Sequence, residues 1–165
     1  MTNPGVFIKL LALAVLLFLF SSEIRAQDGM RLKFGTWNLN LKKSNFAPGT
    51  KPRSDIRIYQ DQGHGFIRSM HMTVSEKGEE SITTYSAKFD GKEYPVVTRG
   101  SGIPGTIAFR VIDANSESFV LTRNGKVAVR GTTTISIDGK TLTMTLNRID
   151  EEGPSSQTID IYDRR

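Results

Sequence analysis

The chain contains no cysteine. Thiolate nucleophiles, redox-active dithiols, disulfides and sulfur-ligated metals are therefore excluded, and the fold must be held by burial and hydrogen bonding alone. Histidine is nearly as scarce: His64 sits between two glycines, and His71 lies in the run Met70-His71-Met72-Thr73. A zinc site wants three or four ligands. With no sulfur on offer, both histidines and several carboxylates would have to converge, so no metal and no other cofactor is expected. Tryptophan occurs once, as Trp37 in the stretch Gly35-Thr36-Trp37-Asn38-Leu39-Asn40-Leu41.

Catalytic signatures are missing as well. No G-x-S-x-G elbow presents a serine. Glu79-Glu80 and Glu151-Glu152 fall in expected turns, where carboxylates are solvated rather than paired for acid–base work. Gly100-Ser101-Gly102-Ile103-Pro104-Gly105 matches the letters of a dinucleotide loop, but that loop must open a helix. Here Thr106-Ile107-Ala108-Phe109-Arg110-Val111 follows, which alternates like a strand. A loop, open to use as a lid, is expected there, and no catalytic residue is assigned.

What the chain does have begins with an address. Phe7 to Phe20 reads FIKLLALAVLLFLF, and it is followed by Ser21-Ser22-Glu23-Ile24-Arg25-Ala26. A basic residue, a short apolar core and a small residue before the cleaved bond are the marks of a secretory signal peptide. The core is too short for the roughly 20 residues a spanning helix needs. Residues 1–26 are thus expected to be removed on export to the periplasm or beyond, leaving a single domain over 27–165 with no stable membrane span. Of the net charge of +5, Lys9, Arg25 and Glu23 leave with the signal, so the mature chain carries +4. Its bases are scattered singly, without a stripe or interleaved aromatics, and nucleic acid is not an expected partner.

Past Met30 the periodicity is two. Ile56 and Ile58 alternate with Arg57 and Tyr59; Ile107, Phe109 and Val111 with Ala108 and Arg110; Val127 and Val129 with Ala128 and Arg130; Leu142, Met144 and Leu146 with Thr143, Thr145 and Asn147. Turn signals separate the runs, the strongest being Asp90-Gly91-Lys92, Asn124-Gly125-Lys126 and Asp138-Gly139-Lys140, where the glycine supplies the positive φ of a tight hairpin. Nine or ten strands follow, near 35–42, 54–61, 65–75, 81–89, 93–98, 105–112, 117–123, 126–137, 140–149 and 157–163. A short helical turn before Gly35 is all the helix expected. Successive strands with short connections make an antiparallel meander, and closing it into an up-and-down β-barrel removes two exposed edges. A two-sheet sandwich is the alternative; only 43–53 and 99–104 are long enough for its crossovers.

Gly35-Thr36-Trp37-x-Leu39-Asn40, Phe89-Asp90-Gly91-Lys92-x-Tyr94-Pro95-Val96 and Asp138-Gly139-Lys140-Thr141-Leu142-Thr143 together resemble a family of exported bacterial proteins of unknown function with a lipocalin-like barrel. Gly35-x-Trp37 also resembles the G-x-W motif of lipocalins, although their internal T-D-Y-type motif and disulfide are absent. The resemblance implies a calycin-type barrel whose tryptophan closes one end, with a late basic residue (Arg148, Arg164 or Arg165) lying against the indole. It also implies a small apolar or amphiphilic ligand inside.

On that basis the expected function is non-catalytic binding of a small, partly apolar molecule. The candidate residues are Trp37; Phe66, Arg68, Met70 and Met72 on one face of the third strand; and Met144 and Arg148 on one face of the ninth. Flexible methionines suit an adaptable apolar pocket, and an inward arginine suits an acid head group. Two other functions remain open: an envelope protein-interaction module with a filled core, and an enzyme using the barrel mouth around His71. The sequence leaves oligomeric state unassigned.

Overall fold

The structure is a computed structural model that describes residues 30–100, 103–149 and 156–165. The expected signal peptide, the expected turn at Glu151-Glu152, Ser101 and Gly102 lie outside the described residues. A 3₁₀ turn, Met30–Lys33, leads into ten strands: β1 (Gly35–Leu39), β2 (Ser54–Gly63), β3 (Phe66–Val74), β4 (Glu80–Ala87), β5 (Tyr94–Arg99), β6 (Gly105–Val111), β7 (Ser116–Arg123), β8 (Lys126–Ile135), β9 (Thr141–Arg148) and β10 (Ser156–Arg164). Each strand pairs antiparallel with its sequence neighbours, and β1 also pairs with β10, so the sheet closes on itself. The described residues are thus an up-and-down barrel, not a sandwich. The long connection after β1 returns to the neighbouring strand instead of crossing to a second sheet.

Turn chemistry explains the register. At Asn124-Gly125 both residues take positive φ (49° and 74°), the signature of a two-residue hairpin whose twist matches that of its strands. His64-Gly65 does the same between β2 and β3. The two Asp-Gly-Lys turns are built differently: only the glycine is left-handed, and the Oδ1 atoms of Asp90 and Asp138 accept hydrogen bonds from the backbone N–H of Lys92 and Lys140. These Asx turns sit inside longer connections and are not themselves two-residue hairpins.

The core fills one end of the barrel. Trp37, Tyr59, Phe109, Ile135, Leu142 and Tyr162 are buried there, and Phe109 contacts Tyr85, Phe89 and Phe119 ring to ring. On β8, Gly131 makes room for this packing, since a methyl group there would collide with the Phe119 ring.

Trp37 seals this end from below. Its Nε1–H donates to the Lys33 carbonyl at 2.8 Å, and the Arg164 guanidinium carbon lies 4.3 Å from a ring centroid of the indole. Among the three basic residues considered for that contact, Arg164 is the partner. It also donates to the carbonyl oxygens of Gly139 (2.5 Å), Phe34 (2.7 Å) and Leu32, tying the 3₁₀ turn, the start of β1 and the β8–β9 connection together. Gly35 is required beside it: its φ is +132°, and a Cβ would sit 2.8 Å from Arg164 Nη1.

Candidate functional site

Above this seal the barrel holds a cavity of about 210 Å³. Its middle is apolar, walled by Val96, Ile107, Phe119, Leu121, Val129 and Leu146. Toward the β7–β8 turn the lining becomes cationic, with Arg57, Arg123, Arg148 and His71; at the sealed end it ends on Lys33, Glu117 and Thr133.

The polar half comes from β2 and β3, and it reverses the facing expected from their sequences. On β2 the buried positions are Asp55 and Tyr59, with Arg57 between them, while Ile56 and Ile58 face outward. Across the ladder Thr73 pairs with Asp55, His71 with Arg57 and Ser69 with Tyr59, so β3 turns Ile67, Ser69, His71 and Thr73 inward. Ile67 and Ser69 are 2% and 0% exposed, whereas Arg68 between them is open to solvent. Arg68, Met70 and Met72 accordingly face away from the cavity, and the Phe66 ring meets Tyr94 edge-on at 5.9 Å. Trp37 lies behind the cavity floor, outside its lining. Of the seven residues singled out from the sequence, Met144 and Arg148 line the cavity.

The outward strand faces carry a consequence. Register places Ile56, Met72 and Ile82 in one row and Ile58, Met70 and Thr84 in the next, with Val97 beyond Thr84 at 64% exposure. An apolar stripe thus crosses the outside of β2 to β5.

Inside, Arg57 is the pivot. Its Nε donates to the Tyr162 hydroxyl at 2.8 Å and lies 3.6 Å from Asp55 Oδ1, and its side chain is 11% exposed. Among the described residues no hydrogen bond reaches its two terminal nitrogens, which leaves four N–H donors at the cavity wall. Arg148, exposed at the end of β9, makes no hydrogen bond or ion pair with another described residue.

His71 Nε2 lies 2.5 Å from Asp55 Oδ2 and 2.8 Å from Thr73 Oγ1. Both partners meet the same ring nitrogen. A nucleophile relay needs the orienting carboxylate on one nitrogen and the nucleophile on the other, so this cluster is not arranged as a catalytic triad.

Electrostatics move each titrating group of the cluster away from its ordinary value. Burial, then the Arg57 charge, push His71 below its ordinary 6.5 against the opposing pull of Asp55. Burial would raise Asp55, but Arg57 and the His71 and Thr73 hydrogen bonds outweigh it and hold the carboxyl below 3.8. Asp160, buried nearby with Arg57 and Arg148 opposing, is pushed above 3.8 by desolvation.

The signs give a testable pH profile. Unfolded His71 takes up its proton at a higher pH than folded His71, so stability is fully present above 6.5 and is lost as pH falls through the folded value. Asp55 adds a loss of the same sign only below 3.8, and Asp160 acts oppositely, weakening the fold as pH rises above 3.8. Thermal melts between about pH 7.5 and about pH 5 should therefore show a falling midpoint in the native protein and a flatter profile in His71→Gln. Equal slopes in the two proteins would remove His71 as the cause.

No family model matches this chain, and no curated protein is significantly similar to it. Among the described residues no helix is long and apolar enough to cross a membrane.

Proposed function

We propose that this protein is an exported, non-catalytic barrel, periplasmic or secreted, that binds a small, partly apolar acid in its cavity. The observation that carries the proposal is Arg57: a buried guanidinium at the wall of an apolar cavity, with its terminal N–H groups turned to no described partner. A carboxylate accepts two parallel N–H bonds from such a fork, and Arg148 adds a second cation at the mouth. The size suits a modest ligand. A dry cavity of about 150 Å³ holds benzene, and drug-sized sites start near about 300 Å³. The Gly35–Trp37–Arg164 seal supports kinship with the exported lipocalin-like proteins whose motifs the chain resembles.

Native mass spectrometry of the protein, exported with its own signal and released without denaturation, tests the proposal. An added mass that leaves on activation supports a carrier. A bare mass beginning at Gln27 supports export and counts against one. The role of the charge has its own test: phenylpropanoate should bind more tightly than its neutral amide, and Arg57→Gln should weaken the acid by about 10- to 100-fold while leaving the amide nearly unchanged. Titration calorimetry reads both, and equal binding of acid and amide would refute the arginine's role.

The outward stripe of half-buried Ile56, Ile58, Met70, Met72 and Ile82, ending on exposed Val97, favours a second reading, an envelope interaction module, because contiguous apolar surface marks contact sites. Under it the native mass would include a second protein and no small molecule.

A further inference from the structure

The sealed end of the cavity is polar where an apolar ligand tail alone would leave it dry. Glu117 is 0% exposed; its Oε1 takes the Lys33 ammonium, while its Oε2 has no hydrogen-bond partner among the described residues. Directly across the β7–β8 ladder lies Thr133, also 0% exposed, whose hydroxyl is likewise unpartnered. Both residues line the cavity. Buried polar atoms left in this state cost the fold stability unless something fills their bonding capacity.

We infer that the Glu117–Thr133 floor receives a hydroxyl group at the far end of the ligand, so that the cavity selects a hydroxy acid with its two polar groups at opposite ends of an apolar body. The inference rests on the acid-binding proposal and adds the second end. A hydroxyl fits both floor groups at once: it donates to the carboxylate oxygen and accepts from the Thr133 hydroxyl. An ammonium could donate to both groups but would leave the Thr133 proton unused and would stand beside the Lys33 charge. A carboxylate would be repelled by Glu117, so the ligand enters in one direction, its acid remaining with Arg57 and Arg148.

The register sets the length. Arg148 pairs with Val129, and Thr133 lies four residues further along β8, which is about 13 Å of strand. A phenyl ring with a short acid arm, together with the reach of the Arg148 side chain, spans that distance. Tyr85, Phe109 and Phe119, in ring contact along this wall, provide aromatic faces for its body.

The test compares phenylpropanoate with para-hydroxyphenylpropanoate by titration calorimetry on the purified protein and on Thr133→Val. A site built to bond a hydroxyl rejects the analogue lacking it, since its own groups are then left unpaired. The hydroxy acid should bind about tenfold or more tightly than the plain acid, and Thr133→Val should cut that preference several-fold without weakening the plain acid. The variant removes an unpartnered buried hydroxyl and keeps the side-chain shape, so it should fold; Glu117→Gln provides a second check and should also reduce the preference. Equal affinity of the two acids, or a preference untouched by both variants, overturns the floor inference and leaves acid binding standing. Binding of neither acid overturns both.

Discussion

Lys33→Met is expected to cost about 3–5 kcal/mol of folding stability, because it leaves a buried carboxylate without its counter-charge. Lys33 and Glu117 are 1% and 0% exposed, and the ammonium reaches Glu117 from the 3₁₀ turn beneath the barrel. The opposite deletion, Glu117→Leu, should cost less. Without the carboxylate, the Lys33 ammonium still lies 4.5 Å from the Tyr59 ring centroid and 4.9 Å from that of Phe109, so aromatic faces retain part of its stabilisation. Combining the two substitutions should recover most of the loss, since a buried ion pair exchanged for apolar side chains is often neutral. Denaturant unfolding of the two single variants and the double variant measures the cycle. A cost below about 1 kcal/mol for Lys33→Met would mean that the pair does not pin the turn to the barrel.

The same pair shows where sequence patterns lose their hold. Strand positions and barrel closure were legible because period-two alternation and glycine turns are local signals: expected strands near 54–61 and 117–123 correspond to Ser54–Gly63 and Ser116–Arg123. The resemblance of Gly35-x-Trp37 to the G-x-W motif implied a sealed end, although the choice of Arg164 over Arg148 or Arg165 needed the closure of β1 on β10. Nothing marked Lys33, which reads as an ordinary base in a basic turn. Its burial depends on Glu117, 84 residues away.

The facing of β2 and β3 escapes the sequence pattern for a related reason. Alternation tells which residues share a face, and hydrophobicity alone selects the outward face of these two strands. Ile56, Ile58, Met70 and Met72 carry the apolar pattern, yet the faces bearing Asp55, Arg57, His71 and Thr73 turn inward together and contact one another across the ladder. In a barrel with a polar interior, two adjacent strands whose less apolar faces carry complementary charges are the available signal. On β9 the inward face is also the apolar one, and Met144 and Arg148 on it line the cavity.

Trp37→Ala should be as damaging as Lys33→Met, at about 3–5 kcal/mol, the usual cost of truncating a large buried aromatic. The route is different. The indole is 0% exposed, donates to the Lys33 carbonyl and supports the Arg164 guanidinium, so its loss opens a void and releases two of the groups that position the 3₁₀ turn. Trp37→Phe keeps part of the volume but not the donor, and should fall between the native protein and the alanine variant. Arg164→Lys is the informative companion, because an ammonium cannot reproduce a planar fork that bonds Leu32, Phe34 and Gly139 while stacked on the indole. If Trp37 and Arg164 work as one seal, the double variant Trp37→Ala with Arg164→Lys should cost clearly less than the sum of the singles, with a coupling of about 0.5–3 kcal/mol. Limited proteolysis between Met30 and Phe34 should accelerate in each single variant. Additive costs with unchanged cleavage would instead make the tryptophan a packing residue whose contact with Arg164 contributes nothing to closing the barrel.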